Sequence, residues 1–140
     1  MREISFNEVK AKLYAAGLRI TQQRIMIYKE LHANKNHPTA EDLFKNLKSR
    51  VTGLSLATVY KNLDAFVKRG LAIKIKSNDD SVHYDADVQT HNHMVCTKTN
   101  SIMDFHDTEL NELLMNYMKS KEIKNFKIKD VQIQFVGEKV

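Results

Sequence analysis

Cysteine and proline each occur once in 140 residues, at Cys96 and Pro38. A lone cysteine excludes an internal disulfide, and a metal site built only of cysteine would need a second chain. No apolar run is long enough to cross a bilayer, and the opening MREISFNEVK carries charges where a signal peptide needs an apolar stretch. The expectation is therefore a cytoplasmic protein with no membrane partner. Internal repeats, linker-like tracts and low-complexity stretches are missing as well. What is present is ordinary: 42% hydrophobic residues, enough for one modest domain or two small ones with real cores. Two small domains, over residues 1–84 and 85–140, are the expected division.

Charge separates the two halves. Residues 1–84 carry 15 Lys and Arg against 8 Asp and Glu, whereas residues 85–140 carry 7 against 9. A basic half of this kind suits a polyanion, and nucleic acid is the natural candidate because neutralising phosphates supplies most non-specific affinity.

The basic half reads as four helices and a hairpin. Ser5 and Glu8 have capping-box spacing, and Phe6, Val9 and Leu13 follow at helical intervals until Gly17, which predicts a helix over 6–16. Thr21 caps a second helix with Ile25, Tyr28 and Leu31 as its buried stripe, ending near Asn34. Pro38 disfavours helix at His37 and leaves that side chain in a connection, exposed or between elements. Thr39 caps a third helix to about Arg50, with Leu43, Phe44 and Leu47 facing inward. Ser55 caps a fourth, in which Leu56, Val59, Tyr60, Leu63, Phe66 and Val67 recur at helical spacing until Gly70. Ala57, Thr58, Lys61 and Asn62 face elsewhere, and small and polar residues on the first turns of such a helix match what a recognition helix presents to the major groove. Residues 71–76 and 81–84, joined by the turn Ser77 to Asp80, alternate as a two-stranded wing. Helices followed by such a hairpin describe a winged-helix DNA-binding domain.

The second half changes character. His91 and His93 share one face of a strand, since successive side chains alternate. A returning strand from Ser101 to His106 brings Asp104 towards His93, although single-residue register is not readable from sequence. Imidazole nitrogen with carboxylate oxygen suits Fe(II), Mn(II) or Zn(II) rather than a sulfur-bound structural zinc. An isolated His-x-His pair is equally what a solvated surface hairpin carries. Beyond it, Leu110, Leu113, Leu114, Tyr117 and Met118 mark an amphipathic helix from about Asp107 to Lys121, and a closing strand runs from Phe126 to Phe135 with a break at Lys129-Asp130. The whole chain is α+β. A sheet of about three strands with one helix is marginal alone, so a symmetric dimer is expected.

Four stretches together resemble the ferric uptake regulator family of bacterial metal-dependent repressors. They are His37-Pro38-Thr39-Ala40, Ser55-Leu56-Ala57-Thr58-Val59-Tyr60-Lys61-Asn62-Leu63, His91-Asn92-His93-Met94-Val95-Cys96 and Ile102-Met103-Asp104-Phe105. The resemblance spans nearly the whole chain in order and spacing. It implies a homodimer whose N-terminal winged helix binds a palindromic double-stranded operator and whose C-terminal domain dimerises. Metal held between the two domains then sets operator affinity.

Within the family the chain is most similar to the peroxide-responsive, PerR-like branch. That similarity implies a regulatory site of His37, Asp85, His91, His93 and Asp104, with aspartate at 104 where iron-uptake regulators usually have glutamate. Fe(II) there would react with hydrogen peroxide, leaving an oxidised ligand, His37 or His91, and releasing the operator. Mn(II) would support repression without that reaction, and Zn(II) would fit the same donors in vitro. Tyr60 resembles the family's base-contacting tyrosine, although periodicity alone would also accept it as core. Ala57, Thr58 and Asn62 are expected beside it at base edges, and Ser55, Lys61 and Arg24 near phosphates.

One departure stands out. Many members carry two Cys-x-x-Cys pairs for a structural zinc, but Cys96 is followed by Thr99, and the C-terminal VQIQFVGEKV has no cysteine. No structural zinc is expected, and Cys96 is taken as a core thiol. His32, His83 and His106 are left as ordinary histidines. Two other readings stay open: an iron- or zinc-uptake regulator of the same family, and a small Fe(II) enzyme using two His and a carboxylate. In the latter the basic half has no task, so a non-enzymatic regulator is expected.

Overall fold

The computed structural model describes residues 3–89 and 92–140, and the chain divides into two compact units, Met1–Val88 and Gln89–Val140. The first unit holds four helices, α1 (Phe6–Ala15), α2 (Gln22–Ala33), α3 (Ala40–Leu47) and α4 (Leu56–Lys68), then β1 (Ile73–Lys76) and β2 (Val82–Asp85). Each helix starts at the expected cap. Ser5, Thr21, Thr39 and Ser55 accept backbone N–H bonds from the third residue onward, and Asp42 returns the bond to Thr39 in a full capping box. Gly17 and Gly70 end their helices in the left-handed conformation, at φ 75° and 74°.

The apolar stripes of these helices converge on one core. Val9, Leu13, Leu31, Leu43, Leu63 and Phe66 are fully enclosed, and Phe66 meets the ring of Tyr28 edge-on at 5.5 Å. Ile27, outside the expected stripe of α2, is buried too, because α2 packs against α1, α3 and α4 rather than on one side only. The hairpin pairs antiparallel with Ile75 opposite His83 and Ile73 opposite Asp85. Its turn is held by Asp79, which accepts from the Ser77 hydroxyl and the Ser81 N–H. Helices and hairpin together are the winged-helix arrangement.

The strand β2 runs to Asp85, so this residue closes the wing rather than opening the second half, and the first unit extends four residues beyond the expected boundary at 84.

The second unit consists of β3 (Asn92–Cys96), β4 (Ile102–Phe105), α5 (Thr108–Lys119) and β5 (Gln134–Gly137). The sheet order is β4-β3-β5, with β3 antiparallel to β4 and parallel to β5. The closing strand is shorter than the alternation from Phe126 predicted. Asn125 takes a left-handed φ of 60°, Asp130 accepts from the Val131 N–H, and the Ile133 N–H bonds to the Asn92 side chain instead of a ladder. The Val131 and Ile133 N–H groups are thereby committed to side chains rather than to a neighbouring strand. No residue of α5 is buried, and Leu113, Tyr117, Phe126 and Val136 are all more than half exposed.

Candidate metal centre and nucleic-acid surface

Each unit places one imidazole against one carboxylate. In the first, His37 lies in the connection between α2 and α3 and takes a φ of 55°, unusual for any side chain larger than glycine and more so before proline. The wing holds it there. His83 donates from Nδ1 to the His37 carbonyl at 2.6 Å, Tyr84 donates its N–H to the Pro38 carbonyl at 2.9 Å, and His37 Nε2 lies 3.0 Å from Asp85 Oδ2. Three consecutive residues of β2 therefore grip two consecutive residues of the connection. His37 is 3% exposed as a result, which selects the second of the two expected placements, between elements rather than exposed.

Asp85 is buried as well, and its other oxygen accepts the Asp87 N–H at 2.9 Å. A carboxylate oxygen and an imidazole nitrogen this close both present lone pairs unless a proton or a cation lies between them. That arrangement fits a hard or borderline divalent ion with mixed nitrogen and oxygen donors.

In the second unit the register sets His93 opposite Asp104, with Nε2 3.4 Å from Oδ1. His93 is buried, while the Asp104 side chain keeps about a third of its surface, at 32%. His91 lies outside the described residues. Between the two histidines, Asn92 is fully enclosed: its Nδ2 donates to Asn111 Oδ1 at 2.9 Å, and its Oδ1 accepts the Ile133 N–H at 3.1 Å. One side chain thus ties β3 to α5 and to the approach of β5. Sequence reading passed over both Asn92 and His83. The second shares a strand face with Asp85 at a spacing of two, which was a usable sign; for Asn92 only its place between two candidate ligands pointed to it.

Cys96 is buried at the end of β3, as a core thiol should be. Its environment is polar nonetheless. The Thr99 hydroxyl, then backbone groups of Lys139, Thr99 and Lys98, favour the thiolate and bring its pKa down to about 6.

On the first unit, the outer face of α4 carries most of the residues expected to meet DNA. Ser55, Ala57, Tyr60 and Lys61 are exposed, and Thr58 is half-buried with its hydroxyl 2.8 Å from that of Ser55. Tyr60 is not core: 38% of it is exposed, and its hydroxyl donates to Glu41 Oε1 across 2.5 Å. Asn62 departs from expectation. It is 6% exposed, accepts from Arg24 Nε at 2.9 Å and donates to the Thr58 carbonyl at 2.9 Å, so it braces α2 against α4 instead of facing outward. The guanidinium of Arg24 also donates to the Arg19 carbonyl at 2.8 Å and stays half-exposed.

A winged-helix unit carrying one His–carboxylate pair, followed by a small α/β unit carrying another, defines a class of metal-responsive transcription regulator. The pattern of the Ferric uptake regulator family matches residues 15–136, and the chain belongs to that family. It is a regulator and not an enzyme. Among relatives, the peroxide-responsive repressor PerR of Staphylococcus epidermidis is 36% identical over 103 residues, covering 74% of this chain and 69% of that protein. Of solved structures, the ferric uptake regulator of Pseudomonas aeruginosa with manganese superposes with a TM-score of 0.79 at 28% identity, covering 94% of this chain and 97% of that one. The peroxide stress regulator of Campylobacter jejuni gives a TM-score of 0.72 at 26% identity, over 98% and 97%.

Proposed function

We propose that this chain is a homodimeric, cytoplasmic repressor that binds a palindromic operator while loaded with metal and releases it on oxidation by hydrogen peroxide. The observation that carries the reading is the donor chemistry: each unit offers an imidazole nitrogen beside a carboxylate oxygen, at His37–Asp85 and at His93–Asp104. With His91 these are the residues that would hold Fe(II) or Mn(II), while Zn(II) fits the same donors in vitro. When bound, Fe(II) would supply the reduction of peroxide that leaves one oxygen atom on a ligand histidine, His37 or His91.

The protein's own residues do the rest. Metal that binds one conformation of the chain more tightly than another shifts the equilibrium by that difference in affinity. Losing one imidazole removes part of the difference. Ser55, Ala57, Thr58, Tyr60 and Lys61 on α4 meet the operator, with Arg24 near phosphates; Asn62 acts beneath them as a brace. Leu113 and Tyr117, one turn apart on α5 and both more than half exposed, support dimerisation, since exposed large apolar side chains favour a partner surface. A homodimer in turn makes a two-fold symmetric operator the expected target. Cys96, with no cysteine partner in the sequence, gives no support for a structural zinc.

The deciding experiment loads purified protein with Fe(II) or Mn(II) without oxygen and measures operator binding before and after a small dose of peroxide. Loss of binding with Fe(II) alone, with a one-oxygen mass gain on the His37 or His91 peptide, supports the proposal. The likeness to the Pseudomonas regulator favours a second reading, a sensor of metal supply. Binding retained through peroxide and lost only to a chelator selects that one.

A further inference from the structure

Tyr60 and Glu41 stand 19 residues apart on different helices, and both are exposed. Their hydrogen bond is therefore not a by-product of core packing. Glu41 lies in the first turn of α3, whose start is locked by the Thr39–Asp42 capping box, so its backbone is a fixed anchor. Tyr60 lies in the second turn of α4. A ring held by its own backbone at one end and by a carboxylate at the other loses most of its rotamer freedom before any ligand arrives. The phenol is driven up to about 12, chiefly by its bond to Glu41, and the Glu41 carboxyl is lowered chiefly by the same bond. At neutral pH the pair is thus a neutral donor and an anionic acceptor, the stronger kind of hydrogen bond.

The surroundings are unusual for a surface facing a polyanion. Glu41, Tyr60, Asp64, Lys74, Asp80 and Tyr84 line one open concavity between α3, α4 and the hairpin. Of its three carboxylates, Asp64 has Lys74 Nζ at 3.4 Å and Asp80 has Lys76 Nζ at 3.4 Å, whereas Glu41 is bonded to the neutral Tyr60 hydroxyl. The Glu41 charge, bonded to a neutral phenol rather than to a cation, repels phosphates. A carboxylate here lowers non-specific affinity, which is tolerable only if it raises discrimination.

We infer that Glu41 is a positioning residue for operator recognition: it holds the Tyr60 ring in its base-reading orientation and its charge discourages phosphate from settling beside α4. The inference rests on the DNA-binding reading above. With the hydroxyl committed to Glu41, Tyr60 meets a base through the face or edge of its ring.

The test begins with selection of binding sites from a randomised duplex pool by full-length, Mn(II)-loaded protein. Affinity for the enriched duplex is then compared with that for a scrambled duplex of equal length at fixed salt. Glu41→Ala lowers the ratio of the two affinities about threefold to tenfold while tightening binding to the scrambled duplex. Glu41→Gln, which keeps an oxygen acceptor without the charge, also tightens scrambled binding but retains the ratio within about twofold. Tyr60→Phe loses discrimination as Glu41→Ala does, and the double variant loses no more than either single one. Additive losses, an unchanged ratio in Glu41→Ala, or a Glu41→Gln protein no better than Glu41→Ala overturns the inference and leaves DNA binding standing. A wild-type protein that enriches no sequence overturns both. Equal melting temperatures across the set show that no loss comes from unfolding.

Discussion

His37 Nε2 lies 3.0 Å from Asp85 Oδ2 although 48 residues separate them, and neither side chain is more than a tenth exposed. The approach depends on the wing. His83 and Tyr84 bond to the carbonyls of His37 and Pro38, and Asp85 follows directly along the same strand.

Asp85→Asn keeps the size of the side chain and removes its charge. The expected outcome is a loss of at least about tenfold in Mn(II) affinity with the far-ultraviolet circular dichroism unchanged, by analogy with the cost of disturbing a metal's partners. Competition against a fluorescent chelator measures it. Wild-type affinity in the variant would remove Asp85 from the ligand set.

Lys61 is exposed on α4 and is expected to touch phosphate rather than a base edge. Lys61→Ala should weaken selected and scrambled duplexes alike and lower the slope of log affinity against log salt by about one. A loss confined to the selected duplex would make Lys61 a base reader instead.

Asn92→Ala removes a fully buried amide and strands the Asn111 carbonyl and the Ile133 N–H that it serves. Both are half-buried, so leaving them without their partner costs towards the low end of about 1–3 kcal/mol. Urea titration should show a lowered midpoint for the transition of the second unit. An unshifted midpoint would mean that water replaces the amide without penalty.

Cys96 supplies one pH dependence that can be tested. Its thiol is lowered from 9.0 to about 6 in the folded protein, chiefly by the Thr99 hydroxyl, so the folded state releases a proton more readily than the unfolded one. The contribution to stability is complete above pH 9, declines as pH falls towards 6, and is gone below it. Melting temperature should therefore fall between pH 9 and 6, and Cys96→Ala should flatten that part of the profile. Parallel profiles for wild type and variant would place the pH dependence elsewhere.

Much of the fold was legible because its causes are local. A helix cap bonds three residues along and a buried stripe repeats every three or four, so the starts of α1 to α5 could be read at Ser5, Thr21, Thr39, Ser55 and Asp107. The hairpin was equally visible in its alternation and its Ser-Asn-Asp-Asp turn. The candidate ligands could be named by residue type and by resemblance, as could the outward face of α4. Asn62 misled because a polar residue off the apolar stripe looks solvent-facing until Arg24 is known to meet it.

By its own residues, then, the chain determined which segments become helices or strands, that no internal disulfide can form, and which face of α4 is polar. Tertiary structure alone decided that His37 is buried, that His93 is in register with Asp104, that the last strand is cut back to Gln134–Gly137, and that Glu41 holds Tyr60. The reason is distance along the chain. Each of these rests on partners in different elements, from 11 residues apart at His93 and Asp104 to 48 at His37 and Asp85, and such a pairing depends on how whole elements pack rather than on any pattern within one of them.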